Sequence, residues 1–301
     1  MQVPNFKIPP VNPDILNSIE KKYFDIPYAR ASSSQVLDIY FPNEGAKKPY
    51  PVIIYLHGGA FMMGSKSDDA LEPILRALNR GYVVVSAEYR KSGEAKFPAM
   101  VHDAKAVVRL VRLIADEYGL DSEKIAVWGP SSGGWLASFL GVTNDDPDFE
   151  DLSLGNEEYS SRVNAVIDWC GPCGNFLGMD EAFNKSGLGR ADHNDPESPE
   201  SRFLGAPITE VPELCLLSAP ITHVSENTPP FCIFHGSIDQ VVPVEQSISF
   251  ADKIKSVCGE GRVELHIAEG KLHHGHPWYH EEWVSDACID FLDKVFGREN
   301  K

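Results

Sequence analysis

The chain has no apolar run long enough to cross a bilayer as a helix, which takes about 20 residues, so no membrane partner is expected. It has no basic N-terminal stretch followed by an apolar core. The opening MQVPNFKIPP lacks the form of a secretory signal, which points to the cytoplasm, or to secretion where such a segment has been removed. Cysteine is sparse: Cys170, Cys173, Cys215, Cys232, Cys258 and Cys288 are scattered through 301 residues. That spacing suits reduced thiols better than a disulfide framework. Positive charge is also short. Lys and Arg number 27 against 44 Asp and Glu, a formal net charge of −17, so nucleic acid and anionic surfaces would be repelled. Neither internal repeats nor low-complexity tracts occur.

What remains is an ordinary globular composition, 43% hydrophobic and 24% charged, long enough for one large α/β domain or two small ones. Strands are expected at Val36–Phe41, Pro51–Leu56, Tyr82–Ala87, Ile125–Trp128, Val163–Cys170, Pro230–His235 and Val263–Ala268. Several are unbroken apolar runs, as in strands covered on both faces. Helices alternate with them. In the longest, beginning near Pro98, the residues Val101, Ala104, Val108, Val111 and Ala115 mark one face and Gly119 ends it. Such alternation gives an α/β fold with a mostly parallel sheet, read as a single domain over residues 1–301. Residues 1–30 are proline-punctuated and expected to wrap the surface. Residues 143–162 and 174–229 break the rhythm. They are expected as lid-like insertions over the carboxyl edge of the sheet, where α/β proteins bind ligands.

Four short stretches carry the chemistry. Gly129-Pro130-Ser131-Ser132-Gly133 follows a strand and precedes a helix. This G-x-S-x-G spacing puts a serine on a sharp turn with its hydroxyl lifted clear of the sheet. His57-Gly58-Gly59 follows another buried strand; consecutive glycines bring backbone N–H groups near a substrate oxygen, which with the N–H of Ser132 would form an oxyanion hole. Asp239 lies just past the strand Phe231–Phe234, where a carboxylate can orient a histidine. The stretch Gly270–His276 follows the last strand and holds three histidines. Taken singly each stretch is ambiguous. Together they run Ser…Asp…His, the chain order of one of the three known serine-triad arrangements.

These residues resemble the carboxylesterase branch of the α/β hydrolases that carries HGG upstream of GxSxGG. Within it, the chain is similar to bacterial bifunctional acetylxylan/feruloyl esterases. The likeness rests on LDIYFP, YLHGGAFMMG, YGLDSEKIAVWGPSSGG, DPESPESRFLGAPITEVPEL, PPFCIFHGSIDQVVPVEQS and EGKLHHGH. It implies the α/β-hydrolase fold, Ser131 as nucleophile, Asp239 as acid, and Gly58, Gly59 and Ser132 as oxyanion donors. It places the base directly before Gly275, which singles out His274 over His273 and His276. The implied activity is hydrolysis of acetyl or feruloyl esters of plant polysaccharide such as xylan, without cofactor or metal. The substrate would be a small-molecule or oligosaccharide ester, and an arylformamide or small aliphatic ester is the nearest competitor. Trp169 and Trp278 are candidates to line the pocket, with plain packing as the alternative. The chain departs from the family at Ser132, Pro130, Ala60, Lys91-Ser92-Gly93 and Trp169–Cys173.

Three other readings compete. Trp169–Cys173 spells W-C-G-P-C, a thioredoxin-like pattern that requires a helix starting at the first cysteine; the surrounding glycines and proline make it a loop. His273, His274, His276 and His280 match no closed zinc spacing, and no acidic or cysteine ligand adjoins them in sequence. A binding protein without catalysis would not need Ser131, Asp239 and His274 together. Arg90 and Asp103 are read as a buried ion pair or cap.

Overall fold

The computed structural model describes residues 8–43, 45–144, 146–273 and 277–298. The apolar runs form a sheet of eight strands: β1 (Lys22–Pro27), β2 (Val36–Tyr40), β3 (Tyr50–Leu56), β4 (Val83–Ala87), β5 (Leu120–Pro130), β6 (Ala165–Trp169), β7 (Phe231–Gly236) and β8 (Val263–Ala268). Their order is β1-β2-β4-β3-β5-β6-β7-β8. β1 with β2 and β2 with β4 are antiparallel, and every later pairing is parallel. This is the α/β-hydrolase arrangement. β1 is not legible in the sequence. It is an edge strand with mostly exposed side chains, held by backbone pairing rather than by an apolar face.

The strand pattern has a period of two, yet both faces are buried. Val52, Ile54 and Leu56 of β3 join a core with Val83, Val85, Ile125 and Val127. Its Ile53 and Tyr55 join the opposite core with Val84, Ala126 and Trp128. The first core is closed by the helices Ala99–Leu113, Ser132–Val142 and Glu245–Cys258, and the second by Glu282–Val295. Each such aliphatic side chain contributes about 1.5–3 kcal/mol relative to exposure, which explains why the runs read as continuous. The long helix breaks at Ile114, and a short turn Ala115–Tyr118 closes on Gly119 at φ +72°.

Parallel pairing sets the site. β5, β7 and β8 all deliver their carboxyl ends to one edge, so the loops that follow, with Ser131, Asp239 and His273, converge there. Residues 174–229 leave from that same edge. Phe203, from the helix Pro199–Leu204, stacks on Phe61 at 4.2 Å and packs edge-on against Trp135. The 143–162 stretch behaves differently from the expectation. It leaves the far end of the helix Ser132–Val142 and returns to the start of β6, so both of its ends lie at the sheet edge opposite Ser131.

That stretch is held by buried charge. Glu150 accepts from Lys105 Nζ at 3.1 Å, from Arg109 Nη1 and from Ser161 Oγ, and both cations are 1% and 0% exposed. Burial pushes the Lys105 ammonium and the Arg109 guanidinium down from their ordinary values, against the opposing pull of Glu150. Removing the carboxylate would strand two buried cations, at a cost of about 3–5 kcal/mol for such a pair. Glu150→Ala is therefore expected to lower the urea midpoint by an amount equivalent to about 3 kcal/mol. Replacing the exposed Glu158 by alanine should change it by less than about 0.5 kcal/mol.

Candidate active site

Ser131 sits between β5 and the helix Ser132–Val142 with φ +54° and ψ −124°. A non-glycine residue is strained there, at about 1–3 kcal/mol. Close packing on both sides holds the turn. A Cβ on Gly133 would lie 2.1 Å from the Leu56 carbonyl oxygen and 2.5 Å from that of His57; one on Gly129 would lie 2.3 Å from the Gly133 oxygen. Only glycine fits either place. The Ser131 N–H donates to Trp169 O at 2.7 Å, tying the turn to the end of β6.

The Ser131 hydroxyl donates to His273 Nε2 at 3.1 Å, and His273 Nδ1–H donates to Asp239 Oδ2 at 2.6 Å. Asp239 is 1% exposed. Its Oδ1 accepts the N–H groups of Val241 at 2.8 Å and Val242 at 3.0 Å, and His235 Nε2 approaches Oδ2 at 3.2 Å. Burial opposes its charge, but His273 and His235 hold its carboxyl well below the usual carboxylate range. For His273, burial favours the neutral ring, while the Asp239 carboxylate and the Cys170 sulfur pull its pKa above the ordinary histidine value. This geometry suits a base that takes the serine proton while its charge is balanced by a carboxylate.

The histidine in this chain of hydrogen bonds is His273. His274, the expected base, and His276 lie outside the described residues. The resemblance pointed one residue further along. Within a run of adjacent histidines, which ring turns toward the sheet edge is set by the path of the loop. Leu272, which precedes His273, accepts from Trp278 Nε1 at 2.9 Å.

The loop after β3 carries Gly58 and Gly59. Gly59 has φ +124°, and a Cβ there would lie 2.2 Å from Met63 O; Ala60 and Phe61 follow at φ +53° and +61°. Among the described residues, no hydrogen bond takes up the backbone N–H of Gly58, Gly59 or Ser132. Fully buried His57 braces this loop from behind. Its Nε2 lies 3.0 Å from the Glu88 carboxylate, its ring stacks on Tyr89 at 4.2 Å, and the Tyr89 hydroxyl donates to His57 O at 2.6 Å. Burial opposes the Glu88 charge, but His57 and Lys91 bring its pKa down to about 2. Sequence reasoning did not single out Glu88 or Tyr89. Their only local signal is a polar end to a buried strand.

Other sequence candidates fall into structural roles. Trp169 and Trp278 are 1% and 3% exposed within the second core. The Trp169 indole N–H points to Cys288 Sγ at 3.4 Å. Packing, the alternative for these aromatics, describes both. Arg90 and Asp103 form the expected ion pair, bidentate through Nε and Nη2 at 2.7–3.1 Å, with Asp103 also accepting from Gln35. No helix starts at Cys170, which has φ +50°. Cys173 donates to the buried Asp168 at 3.1 Å, and burial together with that carboxylate pushes its thiol pKa up, the reverse of what a redox nucleophile needs. All six cysteines are free. Cys170 instead lies beside the site, its sulfur within 4.8 Å of a His273 ring nitrogen and an Asp239 carboxylate oxygen.

Comparison with known proteins identifies the family. The BD-FAE family model matches residues 37–254. Esterase LipC of Mycobacterium tuberculosis is 32% identical over 77% of this chain and 55% of its own. A probable isoprenylcysteine alpha-carbonyl methylesterase of Arabidopsis thaliana is 29% identical over 83% of this chain and 52% of its own. The chain thus spans about half the length of the curated relatives it matches. Among solved structures, a bifunctional GH43-CE protein of Bacteroides eggerthii superposes with a TM-score of 0.78 at 32% identity, covering 91% of this chain and 35% of that one. A truncated carbohydrate esterase from gut microbiota gives 0.81 at 28% identity over 96% and 100%. The matched segment takes in the HGG loop, the Ser131 turn and Asp239: the chain belongs to the BD-FAE family of α/β-hydrolase esterases.

Proposed function

We propose that this chain is a serine carboxylic ester hydrolase working through Ser131, His273 and Asp239. The observation that carries the reading is His273 bridging Ser131 Oγ and Asp239 within hydrogen-bond distance on both sides. Ser131 Oγ attacks the ester carbonyl while His273 Nε2 takes its proton. The backbone N–H groups of Gly58, Gly59 and Ser132 receive the developing oxyanion. Protonated His273 then hands its proton to the leaving alcohol. Water, activated by the same ring, releases the acid from the acyl-enzyme. None of these steps calls on a cofactor.

For substrate, we infer short acyl esters of carbohydrate, with acetyl or feruloyl groups on xylan-type polysaccharide as the class. Support comes from the resemblance in sequence and from two neighbours whose titles name a GH43-CE protein and a carbohydrate esterase. No helix among the described residues is long and apolar enough to cross a membrane. The alcohol side would be met by the 174–229 insertion, which packs on the loop of Gly58 and Gly59 through Phe61 and Phe203.

Three alanine variants separate the histidines. His273→Ala is expected to lower kcat on an activated acetate ester by about 10⁴–10⁶-fold, as Ser131→Ala should, whereas His274→Ala and His276→Ala should cost about tenfold or less. A dead His274→Ala beside an active, folded His273→Ala would return the role of base to His274.

Acyl-chain profiling tests the substrate class. Acetyl to butyryl p-nitrophenyl esters should be turned over far faster than palmitoyl esters, and acetylated xylan or methyl ferulate should release acid at measurable rates. Preference for palmitate, with neither carbohydrate ester cleaved, would sink the carbohydrate reading.

A further inference from the structure

A thiol stands where the proposed mechanism does not need one. Cys170 ends up beside the triad because β6 finishes at Trp169 next to β5 and β7, and its backbone turns at φ +50°. Its Sγ, a His273 ring nitrogen and an Asp239 carboxylate oxygen all lie within 4.8 Å of one another. Cys170 and Asp239 are 0% and 1% exposed, while the His273 side chain keeps 12%. One sulfur, one imidazole nitrogen and one carboxylate oxygen make a three-ligand set suited to tetrahedral Zn²⁺ and similar borderline ions, with a fourth position open. Mg²⁺ and Ca²⁺, which prefer all-oxygen shells, are disfavoured. Sequence spacing hid the set, since its members are 34 to 103 residues apart.

We propose that Cys170, His273 and Asp239 form an inhibitory site for a thiophilic divalent ion of the zinc class. Nδ1 of His273 is the nitrogen that already faces Asp239, at 2.6 Å, so the ion enters between them and bonds Nδ1, Asp239 and the Cys170 sulfur. Two protons move. The thiol proton is released to solvent, and the Nδ1 proton is transferred to Nε2, the ring's other nitrogen. Nε2 then faces Ser131 as a donor and can no longer take the serine proton. The ion reaches the site past the His273 side chain, which keeps 12% of its surface exposed, and it leaves when a chelator removes it. The loss of activity rests on His273 being the base; the binding itself does not.

Two measurements on the full chain decide it. After treatment with EDTA and buffer exchange, Zn²⁺ alone is titrated against initial rates on an activated acetate ester. Saturable inhibition, reversed by EDTA, is expected. Cys170→Ser, with its own zinc-free rate as the reference, should need at least about tenfold more zinc for half-inhibition. Cys170→Gly serves as a second variant, because its backbone angle suits glycine. Separately, Co²⁺ alone is titrated into Ser131→Ala, which has no turnover to read. A near-ultraviolet thiolate-to-cobalt charge-transfer band saturating at one equivalent is expected, and the band should vanish when Cys170 is also replaced. Zinc inhibition unchanged in both Cys170 variants, or a cobalt band that is missing or independent of Cys170, would overturn the site. Failure of the triad reading would show instead as undiminished turnover in Ser131→Ala or His273→Ala, and the cobalt spectrum would still decide the metal.

Discussion

The close approach of two backbone segments governs this site. Gly133, one turn into the helix that follows Ser131, lies so near the carbonyls of Leu56 and His57 that no side chain fits between them. The end of β3 and the start of that helix are thereby locked together. The Ser131 turn and the Gly58-Gly59 loop are fixed relative to each other at the level of the main chain, before any side chain contributes. Strain of about 1–3 kcal/mol at Ser131 is sustained because β6, residues 51–56 of β3 and residues 125–130 of β5 are buried, and their register leaves the turn no room to relax.

Around that lock the structure uses buried polar groups as struts. His57, Glu88 and Tyr89 brace the glycine loop from beneath. Asp239 is held by the Val241 and Val242 amides on one oxygen and by His273 and His235 on the other. Each carboxylate keeps its charge despite burial because its partners outweigh the desolvation cost. Such networks are costly when half satisfied, which makes them rigid when complete. A rigid carboxylate under a histidine is what a base needs if it is to stay aimed at one hydroxyl.

The end of β6 meets the candidate site through two neighbouring residues. Trp169 supplies the carbonyl that accepts from Ser131 N–H, while the sulfur of the next residue, Cys170, lies within 4.8 Å of a His273 ring nitrogen. A thiol at this point adds a sulfur donor beside the nitrogen of His273 and the carboxylate oxygen of Asp239.

The order of strands and helices, the Ser131 turn, the glycine loop and the position of Asp239 were legible in the sequence. They are local: a continuous apolar run, a G-x-S-x-G spacing and paired glycines each follow from the conformation of a few adjacent residues. The edge strand β1 was not, because it buries little and lives on backbone pairing. Nor was the course of residues 143–162, whose anchoring to Lys105 and Arg109 depends on a helix more than thirty residues earlier. The histidine choice was beyond the sequence as well. Four histidines within eight positions look alike along the chain, and the contacts of His273 with Ser131 and Asp239 appear only in the tertiary structure. The convergence of Cys170 with Asp239 and His273 has the same origin. Three strand ends become neighbours only when β6, β7 and β8 pair in parallel, because hydrogen bonding between strands, unlike helix or turn geometry, joins residues without regard to their separation in sequence.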